Sequence, residues 1–418
     1  MPRDFLAPID ETRMTNTTRG ERMLALRRAR MAAAPAFLRG GFRPFFFGAA
    51  AWAVIALALW LAALAGGWAL PSHFDPLAWH RHEMLFGFVG AAVAGFLLTA
   101  IPNWTGRLPI AGPPLAALFC VWIAARLAVL FSAKLGAAPA AALDVGFYLL
   151  LAALAAREVL ASKNRNLPVV ALVLLFGLAN AADHGSAAGW IADPDLGIRA
   201  AILLVVTMIS LIGGRIIPSF TRNWMQKNGL RERLPTQPGR FDLAVVVATA
   251  IALAAWVAAP SSLAAGGLLA AAAALQAARL ARWGGLRSAR DPLVLVLHVG
   301  YFWVPAGLAL LAAHLLGAPL PRSAAIHALT AGAMGTMILA VMTRATLGHT
   351  ARELRANAPT VFLFALVTVG AALRVAAPLG AVDYTLGMEI AAVAWAGAFL
   401  IFLGAYGPIL FSPRLGES

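Results

Sequence analysis

Two histidines and a glutamate stand together in Trp79-His80-Arg81-His82-Glu83-Met84, at the head of an otherwise uncharged apolar run from Leu85 to Ile101. A neutral imidazole offers a lone pair to a metal ion, and a nearby carboxylate can orient the ring through its other nitrogen. The same residue type recurs at His327, which heads the apolar run Ala328 to Met342, and at His298, inside Leu293 to Leu311. Ionisable groups in such surroundings are costly unless partnered, and at membrane depth they mark function by default. The chemistry these residues suggest is metal binding between helices.

The elements that must position them are transmembrane. Of 418 residues, 61% are hydrophobic and 12% charged, whereas a soluble domain carries about 25% charged residues. The formal charge of +15 could suggest a nucleic-acid partner. Most arginines, however, sit in short hydrophilic breaks between apolar runs, so nucleic-acid binding is an unneeded explanation. Cys120 is the only cysteine, which excludes a disulfide, an iron–sulfur cluster or a cysteine-rich zinc site within one chain.

Segments of about 20 apolar residues, enough to cross a bilayer, are expected at 45–66, 83–101, 113–133, 138–156, 167–187, 196–217, 242–259, 262–280, 293–316, 324–343, 359–377 and 385–411. The fold class is therefore an all-α polytopic membrane protein with twelve helices over residues 44–418. Residues 1–43 are polar and arginine-rich, without the apolar core of a secretory signal, and read as a cytoplasmic tail.

Orientation follows from the arginines and lysines. Numbering the breaks alternately puts 26 on the side of the leader, from Arg3 to Arg414, and five on the other: Arg81, Lys134, Arg199, Arg322 and Arg374. This inside-positive asymmetry predicts cytoplasmic termini.

A repeat of four helices is expected as well. The second, sixth and tenth segments end in related strings, Ala100-Ile101-Pro102-Asn103-Trp104-Thr105, Ile216-Ile217-Pro218-Ser219-Phe220-Thr221 and Val341-Met342-Thr343-Arg344-Ala345-Thr346. Each is rich in glycine (Gly87, Gly90 and Gly95; Gly213 and Gly214; Gly332 and Gly335), which permits close backbone approach or leaves room for a flat cofactor. Three four-helix units follow, with these three helices innermost.

Orientation sorts the histidines by depth. His73, His80, His82, His184, His314 and His327 fall toward the outer face, and His298 and His349 toward the cytoplasm. The 22 residues between His327 and His349 span ~33 Å of helix, so no single metal collects every histidine. His73 reads as solvated and His314 as an interfacial side chain. Asp183-His184 can be a structural couple or a ligand. His80 and His82 lie roughly 200° apart around a helix, so either the helix starts after His80 or the two serve different partners. His82 and His327 are the expected axial pair for a haem, across a gap lined by Gly87 and Gly332, with Glu83 accepting from an imidazole. On the inner side, Tyr301 shares a face with His298, and Arg215 and Arg344 are placed to meet haem propionates or lipid. Copper accepts imidazole readily, and its donors are sought in one of two pairs, His80 with His184 or His298 with His349. No hydrolase, kinase or nucleotide-binding motif is present.

These strings carry a family likeness. Arg43-Pro44-Phe45-Phe46-Phe47, Trp79 to Phe88, Gly95 to Ala100, Pro102 to Gly106, Gly214 to Trp224, His327 to Gly332 and Met342 to Thr350 resemble, in order, the NnrS family. Arg81 departs from the small residue expected between the two histidines. The resemblance implies a bacterial inner-membrane protein with b-type haem and copper that acts in the response to nitric oxide and nitrosative stress. It implies that nitric oxide or a similar diatomic is the ligand, bound or turned over by haem-dependent redox chemistry. Its last string ends near His349, which favours the inner pair as functional residues. Two other readings stand beside it. One is a transporter with a polar intramembrane path. The other is a haem-copper oxygen or nitric oxide reductase, which places haem ligands on the second and tenth helices; this chain has no adjacent His-His pair and no histidine in the sixth.

Overall fold

The computed structural model describes residues 32–164 and 166–416 together with positions 22, 25 and 29. Most of the expected cytoplasmic tail thus lies outside the described residues. Among these, twelve helices are long and apolar enough to cross a membrane: α1 Phe42–Leu64, α2 Pro76–Thr105, α3 Pro113–Leu130, α4 Ala137–Ala161, α5 Leu167–Ala187, α6 Leu196–Lys227, α7 Arg240–Ala258, α8 Leu263–Ala281, α9 Pro292–Leu315, α10 Arg322–His349, α11 Ala358–Ala376 and α12 Tyr384–Phe411. No strand occurs among the described residues. Every expected segment has its helix.

The differences lie at polar ends, where apolarity alone stops too early. Helix α2 starts at Pro76 because Asp75 caps it, its carboxylate accepting from the N–H groups of Leu77 (2.9 Å) and Ala78 (3.0 Å), with proline at the first helical position. Both His80 and His82 are therefore helical and point different ways. Helix α1 starts at Phe42, so Arg43 belongs to its first turn and not to the tail. Its buried guanidinium donates to the carbonyls of Leu410 (2.8 Å) and Ser412 (2.6 Å). Those are carbonyls left unpaired where α12 ends. Helix α12 also packs along α1, so the first and last helices meet.

Helices α2, α10 and α6 bury 78%, 67% and 61% of their most apolar window, against 33% for α4 and 39% for α7, α8, α11 and α12. The three expected inner helices are inner, and α9 is as enclosed as α6 at 61%. They converge on an apolar cleft of about 90 Å³, walled by residues such as Phe96, Ile212 and Val341.

Each of these three helices also widens into a π-helical stretch: Glu83–Val89, Ile209–Gly213 and Ala328–Gly335. Such stretches free backbone carbonyls from the regular ladder and cluster at functional sites. The expected equivalence of the three helices thus has a shared structural feature. Their glycines, however, admit side chains and leave no slot for a flat cofactor. A Cβ at Gly87 would stand 2.5 Å from Trp52 Nε1, and one at Gly332 would stand 2.6 Å from the Trp303 ring. Indoles already fill the space that the haem expectation assigned to these two positions.

Candidate metal centre

Helices α2 to α5 bring their ends together at the arginine-poor side of the bundle, and each contributes one or more buried polar residues there. His82 (α2), Asp144 (α4) and His184 (α5) offer three ligand atoms that all lie within 4.8 Å of one another. Asp144 Oδ2 is approached by His82 Nε2 at 2.8 Å, His184 Nε2 at 3.1 Å and Asn180 Nδ2 at 2.8 Å. His82 Nδ1 donates to Asp183 Oδ2 at 2.8 Å. A carboxylate thus fixes the ring from behind while Nε2 faces the other donors, the arrangement seen where carboxylate, histidine and metal stand in line.

A second layer holds this set. Arg126 (α3) donates to Asp144 and, at 2.7 Å, to Glu83 Oε2, which also accepts from Trp52 Nε1 at 2.6 Å. Phe74, in the loop before α2, lies 4.7 Å from the His82 ring and 5.3 Å from the His184 ring, closing the centre on the loop side. Its loop is tied down where Ser132 Oγ accepts from the His73 N–H at 2.8 Å. The π-helical stretch is secured too: Tyr148 donates to the Phe86 carbonyl and Trp122 Nε1 to that of Gly87 at 3.2 Å.

The charges leave room for a cation. Glu83, Asp144 and Asp183 formally carry −3 and Arg126 +1, so with neutral imidazoles the buried cluster stands at −2. A divalent ion balances that sum. Two acceptors, Glu83 Oε1 and Asn180 Oδ1, are buried without a hydrogen-bond partner. Two imidazoles and one carboxylate suit copper, zinc or iron(II). Copper is thus one of the ions that this donor set would suit.

The other expected residues are distributed differently. Glu83 accepts from Arg126 and Trp52, and Asp183 and Asp144 are the carboxylates on His82. Geometry corrects that assignment, because Glu83 is one residue further round α2. His184 joins His82 and not His80. His80 stacks on Trp60 at 4.0 Å and lies within electrostatic reach of His327, Arg374 and Arg81. His82 instead places its two ring nitrogens 2.8 Å from the carboxylates of Asp183 and Asp144, within the α2–α5 cluster.

The inner candidates do not form one site. His298 Nε2 donates to Thr221 Oγ1 at 2.9 Å, while His349 lies 5.5 Å from the Phe42 ring. Tyr301 belongs to a buried network in which it donates to Gln276 Oε1 at 2.7 Å and accepts from Arg279 at 3.1 Å. Arg279 also donates to Asp242 at 2.8 Å and to the Ser210 carbonyl at 2.9 Å, within the π-helical stretch of α6. Arg344 lies 4.0 Å over the Phe220 ring, and Arg215 is exposed beside Asn166. His73 is exposed, and His314 Nδ1 donates to the Leu320 carbonyl at 2.8 Å.

Sequence reasoning passed over Asp144 and Arg126. Each is a lone ionisable residue inside an apolar segment, the same signal that singled out His298, so both were recoverable by that rule.

No curated protein matches the chain. The family model described as "NnrS protein" matches residues 36–414, which takes in all twelve helices and the whole of the centre. The chain belongs to the NnrS family, membrane proteins of the nitric oxide response.

Proposed function

We propose that this protein serves the nitric oxide response of the bacterial inner membrane as a metalloprotein. Copper is held by His82 Nε2, His184 Nε2 and Asp144 Oδ2, and a b-type haem is its second cofactor. The observation that carries the reading is a buried set of two imidazoles and one carboxylate, with a second carboxylate behind His82. Copper bound there would supply one-electron redox chemistry to a small ligand such as nitric oxide.

The chain's own residues do the positioning. Asp183 fixes the His82 ring and keeps its proton on Nδ1. Arg126 orients Asp144 and is itself held by Glu83. Phe74 packs against both imidazoles on the loop side. The arginine asymmetry makes the centre's side periplasmic and both termini cytoplasmic.

Metal analysis and electron paramagnetic resonance of detergent-purified protein test this. Copper should be lost in His82→Ala, His184→Ala and Asp144→Asn and retained in His298→Ala and His349→Ala. Nitric oxide should alter the wild-type signal. Copper that survives the first three substitutions but leaves with the last two would overturn the assignment.

A further inference from the structure

A second cluster sits at the same end of the bundle, around His80 and His327. Asp195, just before α6, bridges two helices: its Oδ1 accepts from Arg81 Nη1 of α2 and its Oδ2 from Arg322 Nη2 of α10, each at 2.7 Å. Arg374, near the end of α11, lies within electrostatic reach of both His80 and His327. Three guanidinium groups against one carboxylate leave +2. Two of their donors, Arg81 Nε and Arg374 Nη1, are buried without a hydrogen-bond partner.

The two imidazoles also have ring nitrogens to spare. His80 Nδ1 is buried and unpartnered. His327 Nδ1 donates to the Ser323 carbonyl at 2.7 Å, which leaves the lone pair on Nε2. Both rings are half-buried. Imidazole lone pairs seek a metal, and unpaired guanidinium groups seek carboxylates.

We infer that His80 and His327 are the axial ligands of an iron porphyrin whose two carboxylates are held by Arg374 and by the Arg81–Asp195–Arg322 bridge. This rests on the reading that the chain carries haem, and it moves the haem from His82 to His80 and its anchors from Arg215 and Arg344 to the opposite end. The charges match, since two propionates neutralise the +2 of the cluster. The bridge also gives the site a structural consequence: carboxylates drawn to Arg81 and Arg322 compete with Asp195 for the contacts that join α2, α6 and α10.

The test compares haemin with haemin dimethyl ester, which has the same iron and ring but no free carboxylate. The detergent-purified full-length chain, expressed without added haem, is titrated with each. Wild type should bind haemin with a six-coordinate bis-imidazole spectrum, and His80→Ala or His327→Ala should abolish that spectrum. Arg374→Gln and Arg322→Gln should each weaken haemin by about tenfold while leaving the affinity for the ester unchanged. The unchanged ester affinity separates lost carboxylate recognition from misfolding. Equal wild-type affinity for haemin and ester overturns the inference, and succinate protection in that case assigns the arginines to a free dicarboxylate. A six-coordinate spectrum that survives His80→Ala also overturns it. Wild type that takes up neither porphyrin fails the haem reading itself.

Discussion

His82 Nδ1 stands 2.8 Å from Asp183 Oδ2, joining the second and fifth helices through two side chains that are both buried. The contact turns the opposite nitrogen of the same ring toward Asp144 and His184. Asp183→Asn should therefore lower metal affinity by roughly 10–100-fold without removing a ligand. Isothermal titration with copper reads this directly, and an affinity within error of wild type would remove Asp183 from the site.

Arg126 stands between Glu83 and Asp144, all three fully enclosed. Removing one partner of a buried ion pair costs about 3–5 kcal/mol, because the remaining charge is left uncompensated. Arg126→Met should destabilise the detergent-solubilised protein by that order in a denaturation series. Adding Glu83→Gln should recover part of the loss, and a double variant worse than the single would contradict the charge argument.

At Gly197, α6 runs against the backbone of α5. A Cβ there would lie 2.5 Å from the Asp183 backbone nitrogen and 2.6 Å from the Ala179 carbonyl oxygen. Backbone atoms cannot swing aside, so Gly197→Ala should push α5 away and cost about 1–3 kcal/mol. It should also lower copper content, since α5 carries Asp183 and His184. Gly146→Ala faces open space and serves as the matched control with wild-type metal content.

Asp195 gives an acid-side signature. Burial pushes its carboxyl up, but Arg322 and Arg81 together hold it below the ordinary carboxylate range. A group depressed in the folded state contributes stability that is fully present above its unfolded value, about 3.9, and is lost as pH falls through the lower folded value. The difference in transition temperature between wild type and Asp195→Asn should stay constant from neutral pH to about pH 5 and shrink below about pH 4. A difference that grows on acidification would mean that the two arginines do not stabilise the carboxylate.

Topology is checked by reporter fusions. Fusions at Arg231 and Arg287 should report cytoplasm, and fusions near Asp193 and Pro319 periplasm. A periplasmic signal at Arg231 would invert the side on which both clusters open.

The sequence by itself determined the architecture. Twelve apolar segments demand twelve helices, since backbone groups in a bilayer core must pair within their own segment, and each expected span has its helix. The inner position of α2, α6 and α10 was legible in glycine spacing and related terminal strings, because close packing in lipid selects small residues. Their π-helical stretches were not, for one extra residue per turn leaves no mark on composition.

Which histidines meet was decided only by tertiary structure. His80 and His82 are two residues apart, yet His82 turns toward Asp144 and His184 and His80 toward Trp60. Depth along the membrane could be counted from the chain, but azimuth around each helix could not. It depends on how ridges of neighbouring helices interlock, and here also on the cap at Asp75 and the wider turn that begins at Glu83. Asp144 and Arg126 acquire their meaning from the same packing: they are single charges in apolar runs until three other helices bring them partners.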